Sequence, residues 1–280
     1  MRTVKSTILR KVYKRRNPKS HKGNFGNLLI IGGSSKYSGS PALAGIAAYR
    51  SGTDLVTITA PSRAADIIAG FTPDLITIPL KGNHLSKSHA RQILSTAKNK
   101  EDAIVIGNGL GTDKDTASAI KSILKQTKLP CVIDADAITA VSKDPSILKG
   151  KKFVLTPHSR EFKRLTGINV DKLSNKEKAD TVKEQAKKLK TTILLKGNPD
   201  VISDGYNTAI NTTGNAYMTT GGTGDVLAGV LGSLLAQGNG IYESACAAAY
   251  ITGKAGEKAS RKRKQGLMAS DMLDTIPDIL

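Results

Sequence analysis

Tryptophan is absent from this sequence of 280 residues, and aromatic residues make up only 4% of it, against 39% hydrophobic residues in total. A core built from such residues must be aliphatic, which is typical of a parallel sheet covered by helices. Cysteine is scarce too, and Cys131 and Cys246 stand far apart, outside any metal-ligand spacing. This excludes a cysteine-based metal motif and predicts two buried, unpaired thiols.

Long hydrophobic runs are missing as well. No apolar stretch approaches the roughly 18 residues that a transmembrane helix needs. The N-terminal segment is basic but has no apolar core of signal-peptide length. The sequence therefore predicts a cytoplasmic protein without a membrane partner.

Acidic residues are missing from the first part of the chain. None precedes Asp54, while the same segment carries eleven Lys and Arg, and a second basic run lies at 261–264; the net charge is +19. Such a balance attracts polyanions, but the sequence has no recognisable nucleic-acid-reading module. Phosphorylated small molecules also explain the charge, and nucleic acid is not expected to be the main partner. We expect a basic arm at 1–20, loose or forming a short helix, and a single domain at 21–280.

Short apolar runs alternate with helical segments along the first 195 residues. Strands are predicted at 27–31, 55–59, 75–78, 103–106, 131–133, 153–155 and 193–195. Helices are predicted at 41–50, 63–69, 86–97, 114–125, 161–166 and 176–190. This alternation indicates βαβ units and an α/β fold with a central, mainly parallel sheet between helical layers. The turn at 204–207, between two short β-type runs, predicts a hairpin and hence antiparallel strands near the sheet edge.

Several predicted strands end on glycine or on residues with functional side chains. These ends lie at 32–33, 107–109, 134–136, 156–158 and 196–198. In an open parallel sheet the carboxyl ends of the strands build the ligand crevice. We therefore expect a binding site at that edge of the sheet.

The glycine-rich segment 219–229 carries the strongest local signal. Its glycines stand before an apolar run, 226–235, that is predicted to be a buried helix. Free N–H groups at the start of a helix, together with the helix dipole, favour an anion such as phosphate. Asp225 is unexpected there because a carboxylate repels phosphate. It is interpreted either as the base that takes a proton from an attacking hydroxyl or as a residue that only caps the helix.

His158 and Glu161 follow a strand end and open a predicted helix. Either they belong to a phosphate or metal site, which we favour for His158, or they only start the helix, where the dipole favours an acidic residue. No HExxH, HxxxH or CxxC pattern occurs, so no protein-caged transition metal is predicted. Mg²⁺ carried in with nucleotide phosphates remains open, with Glu161 as a candidate ligand.

Together these motifs resemble those of the ADP-dependent NAD(P)H-hydrate dehydratases, a family of the ribokinase-like superfamily. The resemblance spans about residues 20–275 and rests on segments that occur in the family's order. These segments are 21–26, 31–34, 37–39, 134–137, 155–158, 195–197, 211–215 and 221–229. The resemblance implies a ribokinase-like fold without a separate lid domain.

The same resemblance implies an activity. Members of this family restore NADH and NADPH from the S epimer of their hydrated forms, using ADP and Mg²⁺ and releasing AMP and phosphate. Asp225 is implied as the catalytic base. The residues implied for the hydrated dinucleotide, beside Asp225, are Gly39, Ser40, Gly109 and His158. The residues implied for the nucleotide are Lys196, Gly197, Asn198, Val201, Gly222, Thr223 and Gly224.

Partners are implied in the same way. Family members with a fused epimerase domain also handle the R epimer. The chain begins almost at its first family motif, so we expect no epimerase domain and a separate epimerase as functional companion. A homo-oligomer is also expected, in which the Ala-rich segments 42–49 and 245–250 either contact partners or lie in the core.

Four residues, at three places in the chain, depart from the family's pattern. Gly107-Asn108-Gly109 stands where Gly-Pro-Gly is common, so Asn108 takes the place of the proline. Ser159-Arg160 follows His158 in place of Pro-Gly, and Thr212 replaces a proline. Arg160 either adds a phosphate contact or faces solvent. We expect none of these changes to touch Asp225 or its glycines.

Two other functions stay open at this point. A plain small-molecule kinase of the same superfamily, acting on a vitamin precursor or a sugar alcohol, would share Asp225 and its glycines. A basic nucleic-acid-binding protein would use residues 1–22 and 261–264.

Overall fold

The computed structural model describes residues 2–280, which form one sheet with helices on both faces. The ten strands found in these residues are β1 (Arg2–Thr3), β2 (Asn27–Ile31), β3 (Leu55–Pro61), β4 (Ile76–Leu80), β5 (Ala103–Ile106), β6 (Cys131–Ile133), β7 (Phe153–Leu155), β8 (Thr192–Leu195), β9 (Asp200–Ser203) and β10 (Thr208–Asn211). They lie in the order β1-β10-β9-β8-β7-β6-β5-β2-β3-β4. Neighbouring strands are parallel, except that β9 is antiparallel to both β8 and β10.

Two layers of helices cover the sheet. The α-helices of the described residues are α1 (Leu9–Val12), α2 (Gly39–Arg50), α3 (Ser62–Ala69), α4 (Ala90–Lys100), α5 (Lys114–Gln126), α6 (Ala135–Val141), α7 (Ser159–Thr166), α8 (Asn175–Leu189), α9 (Thr223–Ala236), α10 (Ile241–Arg263) and α11 (Ala269–Leu273). Helices α1–α3 and α9–α11 pack on one face and α4–α8 on the other. Between residues 2 and 280, no helix combines the length and the hydropathy that a bilayer crossing requires.

The central strands are buried on both sides. In β2, Leu28 and Ile30 pack against the layer that contains α9, whereas Leu29 and Ile31 pack against α4–α8. All four side chains are fully buried. Because successive side chains of a strand point to opposite faces, a strand covered on both sides shows a continuous apolar run instead of an alternating pattern.

Helix α9 occupies the middle of its layer, and every residue from Val226 to Ala236 is buried. A β-carbon on Gly229 would lie 2.1 Å from the carbonyl oxygen of Ala44 in α2. The two helices therefore touch backbone to backbone, which only glycine permits at this position. This contact fixes the start of α9, and with it Asp225, over the sheet.

Both Ala-rich segments lie in the core. Ala44 and Ala47 of α2 and Ala245 and Ala247 of α10 are fully buried and belong to the same apolar cluster. Of the two alternatives for these segments, the core position is confirmed.

Most predicted elements are found. Strands β2, β5, β6 and β7 have the predicted bounds, and β9 and β10 form the predicted antiparallel hairpin. Helix α6 is not predicted, because its seven residues begin directly after the strand end at Asp134 and are too few to show a helical period.

The N-terminal segment differs from the expected loose arm. Its short helix is found as α1, but Arg2–Thr3 pair with β10, and Val4 and Val12 are buried in the core. Residues 2–12 are therefore attached to the sheet edge. A strand of two residues is defined only by its pairing partner, and the sequence alone carries no signal for it.

Candidate active site

Functional side chains meet at the carboxyl ends of the parallel strands, as predicted. Asn108 follows β5, Asp134 follows β6, and Asp225 lies in the first turn of α9. The Nδ2 group of Asn108 donates hydrogen bonds to Asp225 Oδ1 at 2.6 Å and to Asp134 Oδ2 at 3.2 Å. One buried amide thus joins two carboxylates from distant parts of the chain.

This contact corrects one expectation. The departures from the family's pattern were not expected to touch Asp225, and for Asn108 that is wrong: its side chain is fully buried and bonds to Asp225 directly. The reason is that α9 packs on β5, where a β-carbon on Gly232 would lie 2.3 Å from Val105 Cγ2. The turn after β5 therefore runs beside the start of α9.

The first turn of α9 has the geometry of an anion site. Gly222 is the N-cap residue, with φ at 95°, a left-handed conformation that other residues rarely adopt. Glycine has no side chain to cap the helix, so the first N–H groups of α9 are left for a ligand. Asp225 is the third residue of α9, so the alternative in which it is the cap is wrong.

Lys196, directly after β8, brings a positive charge to the same place. Its Nζ lies 2.9 Å from Asp134 Oδ1, and a β-carbon on Gly224 would lie 3.4 Å from the same Nζ. Burial alone would lower the pKa of Lys196, but the carboxylates of Asp134, Glu161 and Asp225 raise it above its ordinary value. A charged ammonium group is thus held beside the first turn of α9.

Asp225 has the protonation behaviour of a general base. Its pKa is raised from 3.8 to about 6, chiefly by burial. The hydrogen bond from Asn108, the nearby Ser40 hydroxyl and the charge of Lys196 oppose this rise, whereas the charge of Asp134 adds to it. A carboxylate with this pKa is ionised at neutral pH and still accepts a proton readily.

The residues implied for the hydrated dinucleotide lie on the α2 side of Asp225. Ser40, the second residue of α2, lies close enough to Asp225 for its hydroxyl to lower the pKa of that carboxylate. A β-carbon on Gly109 would lie 2.7 Å from Tyr37 Cβ and 3.4 Å from Ser40 Cβ, while Gly39 has open space beside it. The structure brings Gly39, Ser40 and Gly109 together, and their roles in binding stay predictions.

His158 and Glu161 form the start of α7. The Nδ1 atom of His158 accepts hydrogen bonds from the N–H groups of Arg160 and Glu161, and Glu161 Oε2 accepts one from the N–H of His158 at 2.9 Å. This reciprocal arrangement is a capping box, so both residues have a structural role. The His158 side chain is 50% exposed and remains open to a ligand. Arg160 is exposed, in agreement with the solvent-facing alternative.

A cavity of about 470 Å³ opens beside Lys196 and the start of α9. Of the residues implied for the nucleotide, those in its wall are Lys196, Gly197, Asn198, Thr223 and Gly224. Gly222 and Val201 are not in the wall. The side chain of Val201 is fully buried in the core on the α4–α8 side. Asp200, its neighbour in β9, lines the cavity, and successive side chains of a strand point to opposite faces.

Asp200 lies in the wall of this cavity. Its Oδ1 accepts a hydrogen bond from the N–H of Gly197 at 2.9 Å, and its Oδ2 accepts one from Asn211 Nδ2 at 3.0 Å. Burial raises the pKa of Asp200 to about 6. The Thr252 hydroxyl, also in the wall, has no hydrogen-bond partner within residues 2–280. These groups can orient a polar ligand.

A resident metal site is not found in the part of the chain that the structure describes, where no three or more His, Cys, Asp or Glu side chains are grouped to hold an ion. Glu161 Oε1 lies 3.6 Å from His158 Nε2, too far for a hydrogen bond. That oxygen is the kind of donor Mg²⁺ prefers. Glu161 does not line the cavity beside Lys196, so its role as a ligand of a Mg²⁺ ion that arrives with nucleotide phosphates stays a prediction.

Sequence reasoning placed the strand ends 107–109 and 134–136 at the crevice without naming Asn108 or Asp134 as site residues, and it did not single out Asp200. Asp134 directly follows β6, Asn108 is the second residue after β5, and Asp200 begins β9. For Asp200, the signal that could have found it is a polar residue next to a strand end that faces the crevice. Only the structure shows which of these polar residues touch one another.

Comparison with known proteins agrees with this site. A family model described as NAD(P)H-hydrate dehydratase matches residues 28–278. The chain is 36% identical over 281 residues to the ADP-dependent (S)-NAD(P)H-hydrate dehydratase of Nitrosopumilus maritimus, covering 100% of this chain and 96% of that protein. It also matches bifunctional NAD(P)H-hydrate repair enzymes, of which it spans about half the length.

Solved structures show the same fold. A ribokinase-like superfamily protein of Enterococcus faecalis superposes with a TM-score of 0.87 at 28% identity, covering 99% of this chain and 94% of that chain. The ADP/ATP-dependent NAD(P)H-hydrate dehydratase of Bacillus subtilis, co-crystallized with ATP/Mg²⁺, superposes with a TM-score of 0.83 at 28% identity, covering 99% and 97%. The predicted ribokinase-like fold class is confirmed. The chain belongs to the NAD(P)H-hydrate dehydratase family.

Proposed function

We propose that this protein is an ADP-dependent (S)-NAD(P)H-hydrate dehydratase, which returns hydrated NADH or NADPH to the reduced dinucleotide. The observation that carries the proposal is the position of Asp225. Its carboxylate, with a pKa of about 6, lies in the first turn of α9. The same turn borders the cavity that Lys196 lines. A base and a phosphate-binding helix start stand side by side, which phosphoryl transfer to a hydroxyl requires.

The chemistry follows from the poor leaving ability of hydroxide. Asp225 takes the proton of the ring hydroxyl as that oxygen attacks the β-phosphorus of ADP. The bond from the β-phosphorus to the bridging oxygen breaks, and AMP leaves. The lone pair of the ring nitrogen then expels phosphate, and loss of one proton from the adjacent ring carbon restores the double bond. The net change is removal of water from the ring, with ADP converted to AMP and phosphate.

The protein's part in the transfer is to stabilise charge. Lys196 and the N–H groups of Gly222, Thr223 and Gly224 would face the negative charge that develops on the phosphoryl oxygens. Mg²⁺ bound with the phosphates would neutralise part of the same charge, with Glu161 as the ligand that the chain offers. Gly39, Ser40, Gly109 and His158 are proposed to hold the hydrated dinucleotide.

The nucleotide is proposed to occupy the cavity beside Lys196. Asn198 and Asp200 line it on the β8–β9 side, and Thr252 lines it from α10. Because the N–H of Gly197 is held by Asp200, the loop that carries Lys196 is fixed before a ligand arrives. We do not propose that the Val201 side chain contacts the nucleotide.

The test is a direct assay. Purified protein is mixed with hydrated NADH, Mg²⁺ and either ADP or ATP, and the near-ultraviolet absorbance of reduced nicotinamide is followed. A rise with ADP supports the proposal, and a rise with ATP alone would keep the reaction and change the donor. No rise with either nucleotide, in a sample shown to be folded, would reject the dehydratase. A screen of thiazole, pyrimidine and sugar alcohols would then test the kinase.

Partners and location belong to the same proposal. We propose a separate epimerase as companion enzyme and a homo-oligomeric state, which size-exclusion chromatography with light scattering would test. The Ala-rich segments are in the core and do not support an oligomer.

A cytoplasmic location agrees with the two unpaired, buried cysteines, Cys131 and Cys246. The division into a basic segment at 1–20 and one domain at 21–280 also stays a proposal.

A further inference from the structure

Asn108 is the most deeply buried polar side chain next to Asp225. It has no exposed surface, and its amide Nδ2 donates to both Asp225 and Asp134. Its amide oxygen has no hydrogen-bond partner among residues 2–280. The side-chain hydrogen bonds of Asn108 therefore go to two carboxylates only.

The second carboxylate, Asp134, is also bonded to two other side chains. Asp134 Oδ1 accepts hydrogen bonds from Thr156 Oγ1 at 2.7 Å and from Lys196 Nζ at 2.9 Å. Asp134 is thereby held as the counter-ion of Lys196, and its remaining oxygen faces Asn108. A chain of contacts runs from the base, Asp225, through Asn108 and Asp134 to the ammonium group of Lys196.

Two carboxylates at one amide repel each other. The charge of Asp134 makes ionisation of Asp225 harder, while the hydrogen bond from Asn108 makes it easier. A neutral side chain with two N–H donors suits this place because it satisfies both carboxylates without adding charge. Glycine and proline have no side-chain donor, so a chain with Gly-Pro-Gly here could not make either bond.

We infer that Asn108 is a positioning residue, which holds the carboxylate of Asp225 ionised and oriented toward the substrate hydroxyl and links it to the Asp134–Lys196 pair. The inference rests on the proposed function for the identity of that hydroxyl. The contacts to Asp225 and Asp134 do not depend on it.

The test compares Asn108→Ala and Asn108→Asp with the wild-type protein. The measured quantity is kcat/KM for hydrated NADH as a function of pH, at saturating ADP. In the wild type, kcat/KM falls on the acidic side of the profile, which is called the acid limb. Losing a hydrogen bond to a charged group should shift the acid limb to higher pH by about one unit, so that kcat/KM on the acidic side falls about tenfold. Asn108→Asp keeps the shape of the side chain but adds a third carboxylate, so it should shift the acid limb to still higher pH.

The control is Asn27→Ala. Asn27 lies at the other end of the sheet, where its amide donates a hydrogen bond to the carbonyl of Lys100, so this variant should leave the acid limb in place.

A merely structural role predicts a different pattern. If both Asn108 variants lose activity by the same factor at every pH, with the acid limb unchanged, the inference is overturned. Thermal unfolding of each variant accompanies the assay, and Asn108→Ser, which keeps one donor, replaces any variant that fails to fold and should give an intermediate shift.

A second measurement separates this inference from the proposed function. The carboxyl carbon of Asp225 is titrated by NMR in the wild type and in Asn108→Ala, which removes the hydrogen bond without adding charge and needs no turnover. A higher pKa of Asp225 in the variant supports the positioning role even if the wild type dehydrates nothing. An equal pKa in both proteins rejects it, whatever the enzyme's activity.

Discussion

Replacing Asp225 by Asn separates the chemistry of the site from its stability. Asn has the shape of Asp and can accept the hydrogen bond from Asn108 through its amide oxygen, but it cannot take a proton at neutral pH. Removing a general base lowers rates by about 10² to 10⁴-fold. We therefore expect turnover of hydrated NADH to fall by that factor, with ADP binding retained.

The same substitution should not destabilise the fold. The pKa of Asp225 is raised from 3.8 to about 6 in the folded protein, so the ionised carboxylate opposes folding, fully so above about pH 6. At about 1.4 kcal/mol for each pKa unit, this opposition is on the order of 3 kcal/mol at neutral pH. Asp225→Asn removes it, so the midpoint of thermal unfolding should stay or rise at pH 7.5, with a smaller difference near pH 5.

Two results would refute this reasoning. Near-normal turnover of the Asp225→Asn protein would remove Asp225 as the base. Lost turnover together with a clearly lower unfolding temperature would mean that the carboxylate supports the fold, contrary to its raised pKa. The assays are absorbance of reduced nicotinamide, calorimetric titration with ADP, and scanning calorimetry at the two pH values.

Three further predictions address the same site and its support. Lys196→Met should weaken ADP binding and lower turnover by about 10²-fold, because it removes the cation beside the start of α9; unchanged affinity by calorimetric titration would contradict this. The profile of kcat/KM should rise with pH through about 6, the pKa of Asp225; a flat profile from about pH 5 to about pH 8 would contradict the base. Gly229→Ala should cost about 1–3 kcal/mol or more, because its β-carbon would meet the Ala44 carbonyl at 2.1 Å. Scanning calorimetry checks this against Gly266→Ala, where the space is open and no change is expected.

Much of the fold could be predicted because its central strands are short, wholly apolar and ended by glycine or polar residues. Strands such as β5 and β6 therefore have clear limits in the sequence. Two kinds of element were not predictable. Strand β1 exists only through its pairing with β10, and α6 is too short to show a period.

In the site, too, some residues could be predicted from the sequence and others could not. Asp225 stands out because an acid among phosphate-binding glycines is chemically unusual, and Lys196 stands out through the family's pattern. The bond between Asn108 and Asp225 joins residues 117 positions apart, and it depends on how closely α9 packs on β5. No local pattern encodes that distance, so the partner of the base could not be read from the sequence.

The most direct test of the central claim is the stoichiometry of one reaction. Hydrated NADH and ADP are incubated with the protein, and NADH, AMP and inorganic phosphate are measured in the same samples, with Asp225→Asn as the blank. Equal amounts of the three products in the wild type, and none above background in the variant, are predicted. Phosphate and AMP without NADH, or a stable phosphorylated product, would contradict the dehydratase.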